Sequence, residues 1–158
     1  MKSLKERVQD YIYTKEDLNL FIQDAEKISG LVFKNPKLPL REKIEKSKEK
    51  ISNKFYDFFL ELSQDNHSDK ERILKELKKT KKELLKLPVL KIQLAFSPTP
   101  SFIKEISDWL KRNLKKKVLL DVEVNPVIVG GAILEYRGKY LDLSLKKEIE
   151  KLNIKDFI

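Results

Sequence analysis

The sequence predicts an α+β protein, in which a helical bundle of about four helices is followed by a small βαββ(β)α domain. Three observations predict this class. Apolar residues recur at helical spacing before Pro88, they alternate with polar residues directly after it, and three of the four glycines lie beyond residue 125. The change of period at Pro88 divides the chain into two predicted domains, residues 1–87 and residues 88–158.

The first domain contains four segments with apolar residues on one helical face. They are a short helix over residues 3–12, a second ending near Gly30, a longer third carrying Ile44 to Leu62, and a fourth carrying Ile73 to Leu85. Thr14 with Asp17 resembles an acidic capping pair for the second helix, and Ser68 or Asp69 caps the fourth. Phenylalanines and leucines at this spacing are typical of a bundle interior rather than of a cofactor or lipid pocket.

The second domain begins with a strand in which Leu90, Ile92, Leu94 and Phe96 alternate with less apolar residues. A helix capped by Thr99 or Ser101 follows. Its predicted buried face consists of Phe102, Ile103, Ile106, Trp109, Leu110 and Leu114, which makes Trp109 a core residue rather than a stacking platform. A second alternating strand covers residues 118–124.

The last stretch combines paired glycines with a hairpin and a capped helix. Val127 to Leu134 has the composition of a buried strand, but Gly130 and Gly131 interrupt it, which indicates a bulge or a close backbone approach. Arg137-Gly138 predicts a tight turn. Asp142 and Ser144 are then two candidate N-caps for a helix bearing Leu145, Ile149 and Leu152.

Composition narrows the classes of function. The chain has no cysteine, which excludes disulfides, thiolate nucleophiles and zinc-thiolate sites. No apolar run reaches the length of a membrane span and no signal-peptide core is present, so we expect a soluble protein made in the cytosol. The net charge of +9 allows binding to nucleic acid. Acidic residues interleave with most of the lysines and no RNA-binding motif accompanies them, which favours a solvated or protein-facing basic surface.

Catalysis is not indicated. Asp142 and Ser144 are the only pair that could be considered catalytic. No general base or set of metal ligands accompanies them, and helix capping explains both residues. His67 is the only histidine and lies in a polar loop without a recognisable partner. The paired glycines precede no phosphate-binding lysine and have no dinucleotide-binding spacing. We therefore expect no catalytic residue, cofactor or metal.

One set of residues carries a resemblance to a known family. It consists of a proline-led strand with paired glycines, a glycine hairpin, and an aspartate and serine before the last helix: Pro126, Gly130, Gly131, Gly138, Asp142 and Ser144. In order and spacing this set is similar to the C-terminal domain of the F-type ATP synthase delta subunit, the family of the oligomycin-sensitivity-conferring protein. Looser similarity extends back to about Leu90.

The resemblance implies a non-catalytic connector in the peripheral stalk of a rotary, proton-translocating ATP synthase, peripheral to the cytoplasmic face of the cell membrane. In that family the helical domain receives the N-terminal helices of the alpha subunits, the C-terminal domain holds the b-subunit stalk, and the connection resists rotor torque. For the b subunit, the candidate contacts are Leu145, Ile149, Leu152, Ile154, Phe157 and Ile158. For the alpha subunits, they are Val8, Ile12, Leu18 and Phe21.

Two departures from the family stand out. The family's helical domain has about six helices, whereas the sequence predicts four, so we expect a shortened domain whose alpha-binding groove either lacks a part or is shared with another subunit. The family's Asp-Gly-Ser is Asp142-Leu143-Ser144 here. Two other functions remain alternatives from the residues alone: a basic nucleic-acid-binding adaptor, and a scaffold for unrelated protein partners.

Overall fold

The computed structural model describes residues 3–65 and 70–145, and it confirms the predicted α+β class. The helices are α1 (Leu4–Gln9), α2 (Lys15–Phe33), α3 (Leu40–Lys46), α4 (Asn53–Asp65), α5 (Lys70–Leu84) and α6 (Pro100–Leu114), with a 3-10 turn at Lys48–Lys50. The strands are β1 (Val89–Leu94), β2 (Leu119–Val124), β3 (Gly131–Tyr136) and β4 (Lys139–Ser144). Two compact units result. One holds the chain up to Ile12 and Glu16–Lys86, and the other holds Tyr13–Lys15 and the chain from Leu87 onward.

The core of the helical unit is an aromatic cluster between α2 and α4. Phe21 of α2 contacts Phe55, Phe58 and Phe59 of α4, with ring centroids 5.4, 6.0 and 5.7 Å apart. All four rings are buried. The phenylalanine stripes therefore fill the inside of the bundle, as the helical spacing predicts.

The prediction of one long third helix is wrong, because the chain breaks between α3 and α4. Asp24 of α2 accepts hydrogen bonds from the backbone N–H of Ser52, at 3.0 Å, and from its hydroxyl. The Ser52 carbonyl accepts the backbone N–H groups of Phe55 and Tyr56, so Ser52 is the N-cap residue that begins α4. A tertiary contact thus sets this helix start. Five α-helices and one 3-10 turn lie within the described part of the helical unit, rather than the four helices predicted.

The helix ends show both local and tertiary capping. Ser3 and Glu6 form a capping box at α1. Gly30 lies in the last turn of α2, which ends at Phe33, so the helix ends near Gly30 as predicted. Lys43 of α3 is buried and donates to the carbonyl of Val32 at 3.3 Å, and burial lowers its pKa. The predicted caps of α5, Ser68 and Asp69, lie outside the described residues.

The second unit contains a four-stranded sheet in the order β2-β1-β3-β4. Strands β1 and β2 are parallel, and α6 forms the crossover that parallel neighbours require. The other two pairings are antiparallel. Thr99 caps α6 by accepting the backbone N–H of Phe102 at 3.3 Å, which confirms one of the two predicted caps.

One face of this sheet is apolar across all four strands, but its burial is uneven. In the register, Ile92 lies opposite Leu134, which in turn lies opposite Leu141. Ile92 of β1 is buried, whereas Leu141 and Leu143 of β4 are 54 % and 55 % exposed. The β1 part of the face therefore belongs to the core, and its β4 edge does not.

A short segment between α1 and α2 adds to the edge of β2, which the sequence did not predict. The Leu120 N–H donates to the carbonyl of Tyr13 at 3.0 Å, next to a parallel bridge at Thr14. Lys117 is buried, its Nζ lies 4.6 Å from the centroid of the Tyr13 ring, and it donates to Ser107 Oγ at 3.3 Å. Cation–π attraction, a buried hydrogen bond and backbone pairing thus hold residues 13–15 in the second unit.

Candidate interaction surfaces

The glycine-rich stretch begins with a loop rather than with the predicted strand. Residues 125–130 do not form a strand, and β3 begins only at Gly131. The Asn125 side chain accepts the N–H of Val127, and its backbone carbonyl accepts the N–H of Ile128, both at 3.1 Å. This is asparagine turn chemistry followed by proline, and it overrides the strand propensity of the valines. Val127 is accordingly exposed, while Ile128 is buried.

The paired glycines mark a close backbone approach, as predicted. Gly131 has a φ of +81°, and a Cβ added there would lie 2.2 Å from the carbonyl oxygen of Leu143. At Gly130 an added Cβ would lie 2.7 Å from Leu145 Cδ1, and the Gly130 carbonyl accepts the Leu145 N–H at 2.9 Å. A side chain at Gly131 would separate β3 from the end of β4, whereas a side chain at Gly130 would meet only the flexible side chain of Leu145.

The predicted hairpin turn is confirmed at Arg137-Gly138. Both residues have positive φ, 49° and 75°, as a two-residue type I′ turn requires. The strand that follows, β4, extends to Ser144 and includes both candidate caps. The Asp142 carboxylate accepts the Ser144 N–H at 2.9 Å within β4, and its assignment as a helix N-cap stays a prediction. Ser144 directly precedes Leu145, which has helical conformation, so a cap at Ser144 stays a prediction.

The four candidate contacts for the alpha subunits are core residues. Val8, Ile12 and Phe21 are fully buried, and Leu18 is nearly so. The apolar stripe from which they were chosen is the stripe that packs inside the helical unit. The structure therefore corrects their assignment to a partner-facing surface. An exposed aromatic residue of this unit is Phe33, at 75 % exposure, close to a groove between α2 and α5.

Of the candidate contacts for the b subunit, only Leu145 lies within the described residues. It is exposed, and it continues the exposed edge formed by Leu141 and Leu143. Ile149, Leu152, Ile154, Phe157 and Ile158 lie outside the described residues. Their role in binding a partner stays a prediction.

Helix α6 carries an exposed apolar surface that the sequence analysis assigned to the core. Trp109 is 57 % exposed and Phe96 is 50 % exposed, so the prediction that Trp109 is buried is wrong. Phe102 and Ile106 are partly exposed between them. We call Phe96, Phe102, Ile106 and Trp109 the α6 surface. A warning signal was present in the sequence: the six apolar residues of this helix cover more of its circumference than one buried stripe needs.

Among residues 3–65 and 70–145, no group of three or more histidine, cysteine, aspartate or glutamate side chains is placed to hold a metal ion. The buried carboxylate of Asp24 forms an ion pair with Lys27 and accepts hydrogen bonds from Ser52, a structural role that no sequence motif predicts. His67 lies outside the described residues. The exposed features are thus apolar and charged surfaces.

Comparison with known proteins gives a match over nearly the whole chain. The model of the family described as ATP synthase delta (OSCP) subunit matches residues 5–155. No curated protein matches the chain significantly. The family match covers residues of both compact units, so it does not depend on the glycine-rich stretch alone.

Proposed function

This chain belongs to the ATP synthase delta (OSCP) subunit family, and we propose that it connects the alpha subunits of the catalytic head to the b-subunit stalk. Members of the family are structural subunits of the peripheral stalk. The observation that carries the proposal is the match over residues 5–155, which includes both units. In the proposed arrangement the helical unit binds the alpha subunits, and the sheet unit binds b.

The division into two units supports a connector. Each unit has its own core, the aromatic cluster of α2 and α4 in one and the sheet with α6 in the other. Separate cores let each unit keep its shape while a different partner binds it. A part that resists rotor torque requires rigid docking faces, and it does not require reactive side chains.

Membership of the family implies peripheral association with a membrane-bound complex. Among the described residues, no helix is long and apolar enough to cross a bilayer. We propose that the chain lies peripherally at the cytoplasmic face of the cell membrane, held there by its partners.

The experiment is affinity purification of the tagged full-length chain from detergent-solubilised membranes of the cells that make it. We expect the alpha and b subunits to co-purify in fixed ratio. The full chain is used because Tyr13–Lys15 belong to the sheet unit, so a fragment starting at residue 88 would lack part of it. Recovery of neither subunit would contradict the proposal. The Asp24→Ala variant, which is expected to destabilise the helical unit, shows whether recovery depends on the stability of that unit.

A further inference from the structure

The α6 surface is a continuous aromatic and aliphatic patch on one side of a helix. The rings of Phe96 and Phe102 pack edge to face, with centroids 5.5 Å apart. Phe102, Ile106 and Trp109 line a shallow groove with a cavity volume of about 420 Å³. These three side chains follow helical spacing, so the groove runs along the helix. A second helix packed along this groove would complete a helix–helix interface.

The exposure of this surface is energetically unfavourable for the isolated chain. The same helix buries Ser107 and Leu110. A serine thus occupies the buried side while the only tryptophan of the chain is exposed. Large apolar patches that stay exposed in a folded protein mark interaction sites, and tryptophan is enriched among the residues that dominate binding.

The charged residues beside the groove restrict what can bind there. Glu105, Asp108 and Arg112 line the same groove, which gives its border two negative charges and one positive charge. Within the part of the chain that the structure describes, neither carboxylate takes part in an ion pair. The chain as a whole carries a net charge of +9, so a border with an acidic excess is a local exception. It complements a basic partner.

We propose that the α6 surface docks an amphipathic helix whose apolar stripe is bordered by lysine or arginine. Aliphatic residues at i, i+3 or i+4, and i+7 of that helix fill the spaces around Ile106 and Trp109, and a basic side chain pairs with Glu105 or Asp108. The inference rests on the proposed function, in which the helix comes from the b subunit. Beyond the proposed function, the inference specifies that the sheet unit binds b through the α6 surface. It also specifies that the b helix presents an apolar stripe bordered by basic residues.

The single tryptophan makes the docking directly observable. The full chain is titrated with a purified soluble b-subunit fragment that lacks its membrane span, while tryptophan emission is recorded. Because Trp109 is the only tryptophan and is exposed, its burial shifts the emission to shorter wavelength. A b fragment with its own tryptophans replaced by phenylalanine keeps the signal specific to α6.

Affinity is then measured by calorimetry for three variants. We expect Trp109→Ala to weaken b binding by about tenfold or more, as truncation of a central aromatic residue does. Glu105→Lys combined with Asp108→Lys weakens binding and reverses its salt dependence, because the lysines repel the basic partner and salt screens that repulsion. Phe33→Ala is the matched control, since it removes an exposed aromatic ring from the helical unit. Circular dichroism verifies that each variant is folded.

Each outcome decides one of the two proposals. A blue shift in emission with weaker binding only of the α6 variants supports docking at the α6 surface. Binding of b with unchanged emission and unchanged affinity of Trp109→Ala overturns this inference and leaves the proposed connector function intact. Failure of the unaltered chain to bind either b or the alpha subunits overturns the connector function, and the docking inference is overturned with it.

Discussion

The buried carboxylate of Asp24 gives the most direct test of how the helical unit is held together. Its side chain is fully buried, and it accepts hydrogen bonds from Lys27 Nζ at 2.9 Å and from the backbone N–H and hydroxyl of Ser52. Asp24 therefore connects the middle of α2 to the residue that begins α4. We predict that Asp24→Ala destabilises the helical unit far more than the removal of a surface charge does.

The magnitude follows from the three contacts. A hydrogen bond to a charged group contributes about 1.5–3 kcal/mol, and the Lys27 ammonium is half exposed, so water replaces its lost partner at little cost. The two bonds to Ser52 therefore dominate, and the relief of carboxylate burial offsets part of their loss. We expect a net loss of about 2–4 kcal/mol, against total stabilities of about 5–15 kcal/mol for single domains. Asp24→Asn keeps one acceptor for Ser52 and should lose about half as much.

The assay is urea denaturation of the full chain, followed by far-UV circular dichroism, with hydrogen exchange at the first turn of α4 as a local measure. The matched control is Glu45→Ala, because Glu45 forms an exposed i,i+4 ion pair with Arg41 at 2.9 Å. Such pairs contribute about 0.3–0.5 kcal/mol. If Asp24→Ala cost no more than Glu45→Ala, and α4 kept its exchange protection, the assignment of Asp24 as the link between α2 and α4 would be refuted.

The remaining predictions concern the glycines and the segment on the edge of β2. Gly131→Ala should cost about 2 kcal/mol or more, because its positive φ and the adjacent carbonyl oxygen both disfavour a Cβ. Gly30→Ala, at a helical position with open space, should instead stabilise the protein by about 1 kcal/mol. Urea denaturation of both variants measures these opposite changes in the free energy of unfolding. Lys117→Met should release Tyr13 and lower the exchange protection of the Leu120 N–H at least tenfold, with a loss of about 1–2 kcal/mol. Unchanged protection at Leu120 would show that backbone pairing alone holds the segment.

The turns and caps whose chemistry is local were largely predictable. Thr99 caps α6, Arg137-Gly138 makes the hairpin, and Gly131 lies where β3 and β4 approach each other. Each depends on residues that are adjacent in sequence or on a conformation that only glycine adopts readily. The sequence also separated the helical half from the sheet half, since the two have different apolar periods.

The errors have a common physical cause, which is that periodicity reports an apolar stripe but not what covers it. Val8 of α1 and Phe21 of α2 lie on apolar stripes that pack inside the helical unit. They are buried there and do not form a docking surface. Trp109 lies on a helix with a wider stripe than its surroundings cover, so it is exposed. The break before α4 depends on Asp24, which is 28 residues from Ser52 in the sequence.

By itself, the sequence determined the class of the fold, the approximate point at which helices give way to strands, and the family. These follow from local propensity, apolar spacing and glycine positions, which need no partner across the fold. Tertiary structure decided where α4 begins, which segment lines the edge of β2, and which apolar residues are buried. Those outcomes depend on contacts between residues far apart in the chain, and such contacts form only when whole elements pack together.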